Sequence, residues 1–515
     1  MPKQLSGMDS LFLYTENHRA PLEVGCLQIY DPSTSPNGEV RFKEILATFQ
    51  NRLDRWDLFQ QRLVEVPLSL DYPYWIDDDD FDLEYHVRHI SLPKPGDWEQ
   101  LMAQVGRLQA RQLDHSRPLW MAHIIEGLDR VPGVPPGCFA VFTKFHHAAI
   151  DGVTGQSATA AVHDTEPVQA DASDYQPSAG PRDNVGPSTW QLLARTPFNM
   201  AFNSAKLGIG LLRILPTAIR QSISADAGKR PPVPGTIFNP TRVSPNRVVD
   251  GCFFDLEDFK RIRSTQSGAT VNDVALAVVS GAMRYYLQAR DGLPDESLVA
   301  GCPINVGSAL DAAQGRGNLL SIMTPALHTD IADPVDRLNA IHQATRDAKA
   351  HKETCYTAAL AQLPTGLPAP IAKNLYPLLI RLGVLSKTLP FNTLISNIAV
   401  WQKSLYFAGA KLVKMLATAP PFDQWGIFHT AMSFDDNMCI AFTACREMLP
   451  DPEFYSECME TSFDDLKKAT LRKRPATRKK ARRKKKAAAP NAGNGSTTPR
   501  PAAPPDNAPQ AEAPP

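Results

Sequence analysis

The 515-residue sequence lacks several features that would assign it to a familiar class. Its eight cysteines form no CxxC pair, which favours reduced thiols in a cytoplasmic compartment over a disulfide framework. Its N-terminus has no apolar signal core. The longest apolar stretch, residues 207–219, is interrupted by Arg213 and Pro216 and is too short to span a bilayer. We therefore expect a cytoplasmic protein that is soluble or bound to a membrane surface.

Motifs for covalent and metal-assisted catalysis are also missing. The sequence has no GxSxG nucleophile elbow, so a serine acyl-enzyme is not expected. It has no HExxH motif and no second pair of clustered histidines, whereas zinc requires three or four ligands. These absences direct attention to catalysis by a single polar side chain.

Charge is unevenly distributed, although the net charge is zero. Residues 471–515 hold 12 of the 54 basic and 2 of the 54 acidic residues, so this end carries +10 and the rest carries −10. Segment 471–486 is polybasic and segment 487–515 is rich in Ala and Pro, which predicts disorder. The tail has no aromatic residues for base stacking, so we do not expect specific nucleic-acid binding.

The most informative stretch is KFHHAAIDG, residues 144–152. The residues before it, 138–145, are rich in aromatic and β-branched side chains and predict a strand. Because side chains alternate across a strand, His147 and His146 should point to opposite faces. We therefore expect one histidine to face a cleft and the other to support it.

Three interpretations of the histidine pair remain open. It can be a buried pair without chemistry, a metal site through His147 and Asp151, or a general base. Histidine is the side chain most suited to moving a proton near neutral pH. Asp151, four residues on and across a tight turn made with Gly152, is one candidate for orienting the base.

Other segments give local predictions. Residues 8–30 predict short strand-like runs, and an apolar stripe predicts a helix from Phe42. Asp97 is placed to cap a second helix. The acidic run 77–80 is interpreted as a solvated loop, with cation binding as the alternative. Segment 190–224 predicts helical stretches that either pack between domains or lie in a membrane interface.

HHxxxDG at a strand end resembles the signature of the acyltransferase superfamily that includes chloramphenicol acetyltransferase, carnitine acyltransferases and peptide-synthetase condensation domains. Within that group the chain resembles the wax ester synthase/acyl-CoA:diacylglycerol acyltransferase family over roughly residues 5–468. The blocks that carry this resemblance, in order, are Met8–Leu13 with Ala20–Gly25, Phe81–Leu83 with His86–His89, Pro118–Trp120, Val271–Val274, and Leu394–Asn397 followed by Gly409-Ala410.

The resemblance implies a mixed α/β fold with α+β layers. Two chloramphenicol-acetyltransferase-like domains should flank an active-site cleft or tunnel. We expect an N-terminal acyltransferase domain over 1–164 that carries HHxxxDG, a linker and crossover segment over 165–247, and a C-terminal acyltransferase-like domain over 248–468. A disordered polybasic and Ala/Pro-rich tail should follow over 469–515.

The resemblance also implies the reaction. A long-chain acyl group would pass from acyl-CoA, a co-substrate, to diacylglycerol or to a long-chain alcohol, with no cofactor and no metal. His147 would be the general base. His146, Asp151 and Gly152 would shape the turn, with Asp151 as an electrostatic brace. For such an enzyme, the basic tail would bind an anionic membrane or lipid-droplet surface, with nonspecific nucleic-acid binding as the alternative.

Two residues of the second half have a double interpretation. The pattern Thr270 to Asp273 before an apolar run fits a capping box. The resemblance instead places Asn272 and Asp273 near the substrate cleft and makes Asn272 a candidate oxyanion donor. The chain also departs from its relatives at 396–401, where SNIAVW replaces the usual SNVPGP. This departure puts the local loop geometry in question.

Two other functions remain open. A condensation-type HHxxxDG acyltransferase would use another acceptor, but it is normally one module among carrier and adenylation domains. A lipid-surface protein could keep the fold without catalytic activity. The intact HHxxxDG argues against the second alternative, and the further ordered blocks argue against the first.

Overall fold

Strands supply most of the framework around the histidine pair. A computed structural model describes residues 3–150, 158–177, 190–205, 208, 233–305, 320–350, 367–383, 391–399 and 404–471. Within these ranges the strands are β1 (Lys3–Gln4), β2 (Glu23–Asp31), β3 (Gln61–Val64), β4 (Tyr74–Asp77), β5 (Val87–Ser91), β6 (Trp120–Glu126), β7 (Phe139–His146), β8 (Arg247–Asp255), β9 (Ala300–Asn305), β10 (Leu320–Met323), β11 (Thr393–Ala399), β12 (Tyr406–Phe407), β13 (Ala410–Thr418), β14 (Ile427–Phe434) and β15 (Asn437–Cys445).

Helices pack against these strands. The principal helices are α1 (Gly7–Thr15), α2 (Phe42–Gln50), α3 (Leu83–His86), α4 (Trp98–Gln109), α5 (Leu256–Ser264), α6 (Val271–Gln288), α7 (Pro334–Ala350), α8 (Ala369–Arg381) and α9 (Pro452–Leu471). Residues 158–162 and 190–205 are also helical. None of the helices in the described ranges is long and apolar enough to cross a membrane.

The larger strands form two six-stranded mixed sheets among the described residues. The order is β12-β13-β2-β7-β6-β5 in the N-terminal sheet and β10-β9-β11-β14-β15-β8 in the C-terminal sheet. Strand β7 is central in the first sheet, where it pairs antiparallel with β2 and β6. The end of β7, which carries the histidine pair, is therefore fixed from both sides.

Two strands of the C-terminal half, β12 and β13, belong to the N-terminal sheet. Strand β13 follows β11 in sequence, yet it pairs antiparallel with β2, with Lys411 opposite Asp31 and Thr418 opposite Gly25. The close approach requires a glycine, because a Cβ on Gly25 would lie 2.5 Å from Thr418 Oγ1. The N-terminal sheet is thus completed by residues from the C-terminal half.

Each sheet packs apolar side chains against helices. Helix α4 places Leu101, Val105 and Leu108 in one core cluster with Phe142 of β7. Helices α6 and α9 cover the C-terminal sheet in a second cluster. Burial of these helix stripes, at roughly 25 cal/mol per Å² of apolar surface, orients both sheets relative to their helices.

The predicted fold class is confirmed, since helices and mixed sheets form α+β layers in two similar halves. The helix from Phe42 is confirmed, and Asp97 caps α4 by accepting from the Gln100 N–H. The proposed domain boundaries stay a prediction. The strand-like assignment of 8–30 was wrong in its first part, because 7–15 form α1.

The acidic run was also only partly predicted. Asp77 ends β4. Asp78 is only 5% exposed, whereas we expected the whole run to be solvated. Arg62 compensates the buried charge, with its Nε 3.2 Å from Asp78 Oδ1. A cation in the chain itself therefore balances this carboxylate.

Candidate active site

A largely apolar cavity of about 180 Å³ lies between the two sheets. Its walls come from β2, β7 and β13 of one sheet and from β11 and β14 of the other. The apolar residues lining it include Val24, Cys26, Phe145, Ile150, Ile398, Met415, Phe428 and Met432. Such a lining favours a hydrocarbon ligand.

Two of the threonines in the wall, Thr418 and Thr430, already use their hydroxyl protons within the protein. The Thr418 hydroxyl donates to Gln109 Oε1 at 2.7 Å, and the Thr430 hydroxyl donates to the Ala417 carbonyl at 2.8 Å. Because both hydroxyl protons are already engaged, neither is available to a ligand without breaking a buried hydrogen bond.

His147 lies in the wall of this cavity, directly after the end of β7. Its backbone N–H donates to the Leu22 carbonyl at 2.9 Å. Its half-buried ring stacks on Phe12, with centroids 3.9 Å apart and planes 11° from parallel. The backbone and the ring plane are therefore both held, and the imidazole faces a site where an apolar substrate can bind.

His146 points to the other side of the strand and is fully buried. Its backbone N–H donates to the Leu119 carbonyl at 3.1 Å. Its Nδ1 accepts from the Ala148 N–H at 3.0 Å, which places the proton of a neutral ring on Nε2. The predicted alternation of the strand is confirmed, and His146 stabilises the turn beside His147.

A buried carboxylate lies behind the histidine pair. Glu16 Oε2 is 2.8 Å from His115 Nε2 and 3.5 Å from His146 Nε2, and Oε1 accepts from the Leu22 N–H at 3.0 Å. Burial alone would raise the pKa of Glu16, but the facing imidazoles of His115 and His146 outweigh it and lower the pKa to about 2. The same bond raises the pKa of His115.

These three side chains are also the group of potential metal ligands found within the described ranges. The ligand atoms of Glu16, His115 and His146 lie within 4.8 Å of one another. However, the 2.8 Å contact between Glu16 and His115 is a hydrogen-bond distance, shorter than the roughly 3.3 Å between two ligands of a tetrahedral zinc ion. We interpret the group as a cluster of one carboxylate and two imidazoles in close contact.

Asp273 has a structural role. It accepts from the Thr270 N–H at 2.8 Å, and Thr270 accepts in turn from the Asp273 N–H, which confirms the capping box. Its carboxylate also contacts His342 Nδ1 at 3.0 Å and accepts from the Thr345 hydroxyl at 2.8 Å. The contacts with His342 and Thr345 tie α6 to α7, and Asp273 is 1% exposed.

Of the remaining predicted site residues, Asn272 is the one that the structure describes. Asn272 Oδ1 accepts from Asn397 Nδ2 at 3.0 Å, so two of the sequence blocks meet, but neither residue is among those lining the cavity. Asp151 and Gly152 lie outside the described residues. Their proposed roles stay predictions.

Three residues that contact the histidine pair were not identified from the sequence as site residues: Phe12, Glu16 and His115. Phe12 lies in one of the blocks that carry the family resemblance, so its position could have suggested a role. Glu16 gave a weaker signal, as a carboxylate between two apolar stretches. His115 gave none, because its contact with His146 spans two distant segments.

The chain matches two models of one family. The wax ester synthase/diacylglycerol acyltransferase catalytic domain matches residues 5–275, and the WS/DGAT C-terminal domain matches residues 316–467. A Mycobacterium tuberculosis H37Rv protein named as a diacylglycerol O-acyltransferase is 31% identical over 471 residues, which cover 90% of this chain and 99% of that protein. A second protein of this strain, also named as a diacylglycerol O-acyltransferase, is 29% identical over 480 residues, which cover 90% of this chain and 91% of that protein.

Two solved structures are also similar to this chain. The wax ester synthase/diacylglycerol acyltransferase from Marinobacter aquaeolei VT8 matches with a TM-score of 0.64 and 27% identity, covering 91% of this chain and 100% of that chain. The first condensation domain of the calcium-dependent antibiotic synthetase matches with a TM-score of 0.54 at 12% identity, covering 91% and 96%. The second likeness shows the shared fold.

The family models and these relatives show that the fold, with a histidine facing an apolar cavity between two mixed sheets, is that of an acyltransferase. The family models together span most of the sequence and the relatives align over nearly their full length. The chain belongs to the wax ester synthase/diacylglycerol acyltransferase family.

Proposed function

We propose that this acyltransferase moves a long-chain acyl group from acyl-CoA to diacylglycerol, to a long-chain alcohol, or to both. The product is triacylglycerol with diacylglycerol as acceptor and wax ester with a long-chain alcohol. The observation that carries the proposal is the position of His147 in the wall of an apolar cavity. The names of the relatives support the acceptors, since the M. tuberculosis proteins are named for diacylglycerol and the Marinobacter enzyme for wax ester as well.

We propose that His147 is the general base. It removes the proton of the acceptor hydroxyl while that oxygen attacks the thioester carbonyl. The tetrahedral intermediate then collapses, the carbon–sulfur bond breaks, and the imidazolium returns the proton to the CoA thiolate. Acyl transfer is complete without an acyl-enzyme, and the histidine ends each cycle in its starting protonation state.

The test is thiol release from palmitoyl-CoA by the purified protein, with diacylglycerol and hexadecanol offered separately. Release that requires an alcohol and disappears in His147→Ala supports the reaction and ranks the acceptors. Release in the variant at the parent rate would end the role of His147. No release with either alcohol would favour another acceptor, as in condensation-type enzymes, or a lipid-surface protein without activity.

We further propose that the protein is cytoplasmic and binds membrane or lipid-droplet surfaces peripherally through its basic tail. The polybasic segment 471–486 supports this, because each Lys or Arg near an anionic surface contributes about 1 kcal/mol. Pelleting with anionic liposomes, compared between the full chain and a chain ending at residue 470, tests it. Equal pelleting of the two would contradict the proposal.

A further inference from the structure

Glu16 is the one carboxylate that contacts all three segments holding His147 among the described residues. It directly follows α1, and its backbone N–H donates to the carbonyl of Phe12, the residue whose ring stacks on His147. Its Oε1 accepts from the N–H of Leu22, whose carbonyl holds the His147 backbone. Its Oε2 faces His146, the neighbour that closes the turn.

We infer that Glu16 is a positioning residue for His147, acting through Phe12, Leu22 and His146. The inference rests on the proposed role of His147 as general base. No bond runs from Glu16 to the imidazole of His147, so its effect is on the plane and depth at which that ring enters the cavity.

The tautomer of His146 explains why a carboxylate is needed at position 16. Because Nδ1 of His146 accepts from the Ala148 N–H, its Nε2 carries the proton and needs an acceptor. Within the described part of the chain Nε2 has no hydrogen-bond partner at normal distance, and Glu16 Oε2 is the carboxylate oxygen that faces it, at 3.5 Å. A neutral amide at position 16 can present an N–H to this atom, which would push the turn away.

The carboxylate is also kept ionised. The side chain of Glu16 is 2% exposed, and His115, at the exposed end of the cluster, supplies a compensating donor 2.8 Å away. His115 is therefore a second point from which the same cluster can be perturbed, at a side chain that is 41% exposed and contributes little to the core.

The primary experiment compares E16Q with the parent in steady-state kinetics. Since misplacement of a catalytic group by about 1 Å costs on the order of 100-fold, E16Q should lower kcat by about 10- to 100-fold with KM for both substrates little changed. In an H147A background the same substitution should have no further effect, because two residues that act through one group are not additive. A merely structural role would lower both backgrounds by the same factor.

A matched control is D250N. Asp250 is another buried carboxylate with two side-chain donors, Trp98 Nε1 at 2.7 Å and Ser456 Oγ at 2.5 Å, and it does not line the cavity. D250N should lower the melting temperature and leave kcat intact. An equal loss of kcat in D250N would show that the effect of Glu16 is a general loss of stability.

The outcomes are distinguishable from failure of the proposed function. If H147A keeps the parent rate, the proposed base is wrong. If H147A is inactive but E16Q keeps the parent kcat, the positioning inference is wrong. If E16Q does not fold, H115Q decides: a several-fold lower kcat that vanishes in the H147A background supports the inference, and an unchanged kcat overturns it.

Discussion

Separate alanine variants of the two adjacent histidines should divide chemistry from stability. H147A removes a half-buried ring and one stacking contact with Phe12, which costs about 0.5–1.5 kcal/mol of unfolding free energy. It should lower the rate by about 10²- to 10⁴-fold, because a general base contributes that much. Each tenfold step corresponds to about 1.36 kcal/mol of barrier.

H146A should lower the unfolding free energy more than H147A does. It leaves the Ala148 N–H without its acceptor, at a cost of about 1–3 kcal/mol. It also leaves a cavity where a fully buried ring was, and large-to-small core changes of this kind cost about 2–5 kcal/mol. We expect a total loss of at least about 3 kcal/mol, at least about twice the loss in H147A.

Urea unfolding followed by circular dichroism measures the first quantity, and alcohol-dependent thiol release from palmitoyl-CoA measures the second. Both variants should be assayed at a temperature where the less stable one remains folded. Equal destabilisation of the two, or an H147A rate within about tenfold of the parent, would refute the division of roles drawn from the strand geometry.

Three further results are expected. The pKa of Glu16 is lowered from 4.5 to about 2, so its charge stabilises the fold fully above pH 4.5. This contribution is lost as the pH falls from 4.5 through about 2. The difference in unfolding free energy between the parent and E16Q, measured from urea midpoints, should therefore shrink over that pH range. G25A should cost about 1–3 kcal/mol in urea unfolding, because its Cβ would meet Thr418 Oγ1 at 2.5 Å, and an unchanged midpoint would contradict this. D273A should cost about 2–4 kcal/mol, against about 1 for the exposed cap variant D255A, and equal midpoints would refute the buried network.

Local periodicity explains what the sequence predicted well. The opposite directions of His146 and His147 follow from the two-residue repeat of a strand, which needs no knowledge of the partners. The caps at Asp97 and Thr270 likewise depend on residues within one turn. Helix α1 was missed because its apolar residues show no clear stripe, although Ser6, which accepts from the Asp9 N–H, carried a readable capping signal.

Long-range pairing explains what could not be predicted. Nothing in residues 410–418 indicates that they join the first sheet rather than the second. The bonds from Asp273 to His342 and Thr345 span 69 and 72 residues, so a helix cap was predictable but the link between α6 and α7 was not. The cluster of Glu16 and His115 is hidden for the same reason.

The placement of β13 has a consequence for how the enzyme is made. During synthesis the N-terminal half leaves the ribosome first, yet β2 then has an unpaired edge, with free N–H and C=O groups that invite pairing with another chain. Only when residues 410–418 emerge can that edge be covered. The same residues supply one wall of the cavity. A chain that terminates before them would therefore expose an unpaired strand edge and would lack part of the lipid-binding cavity.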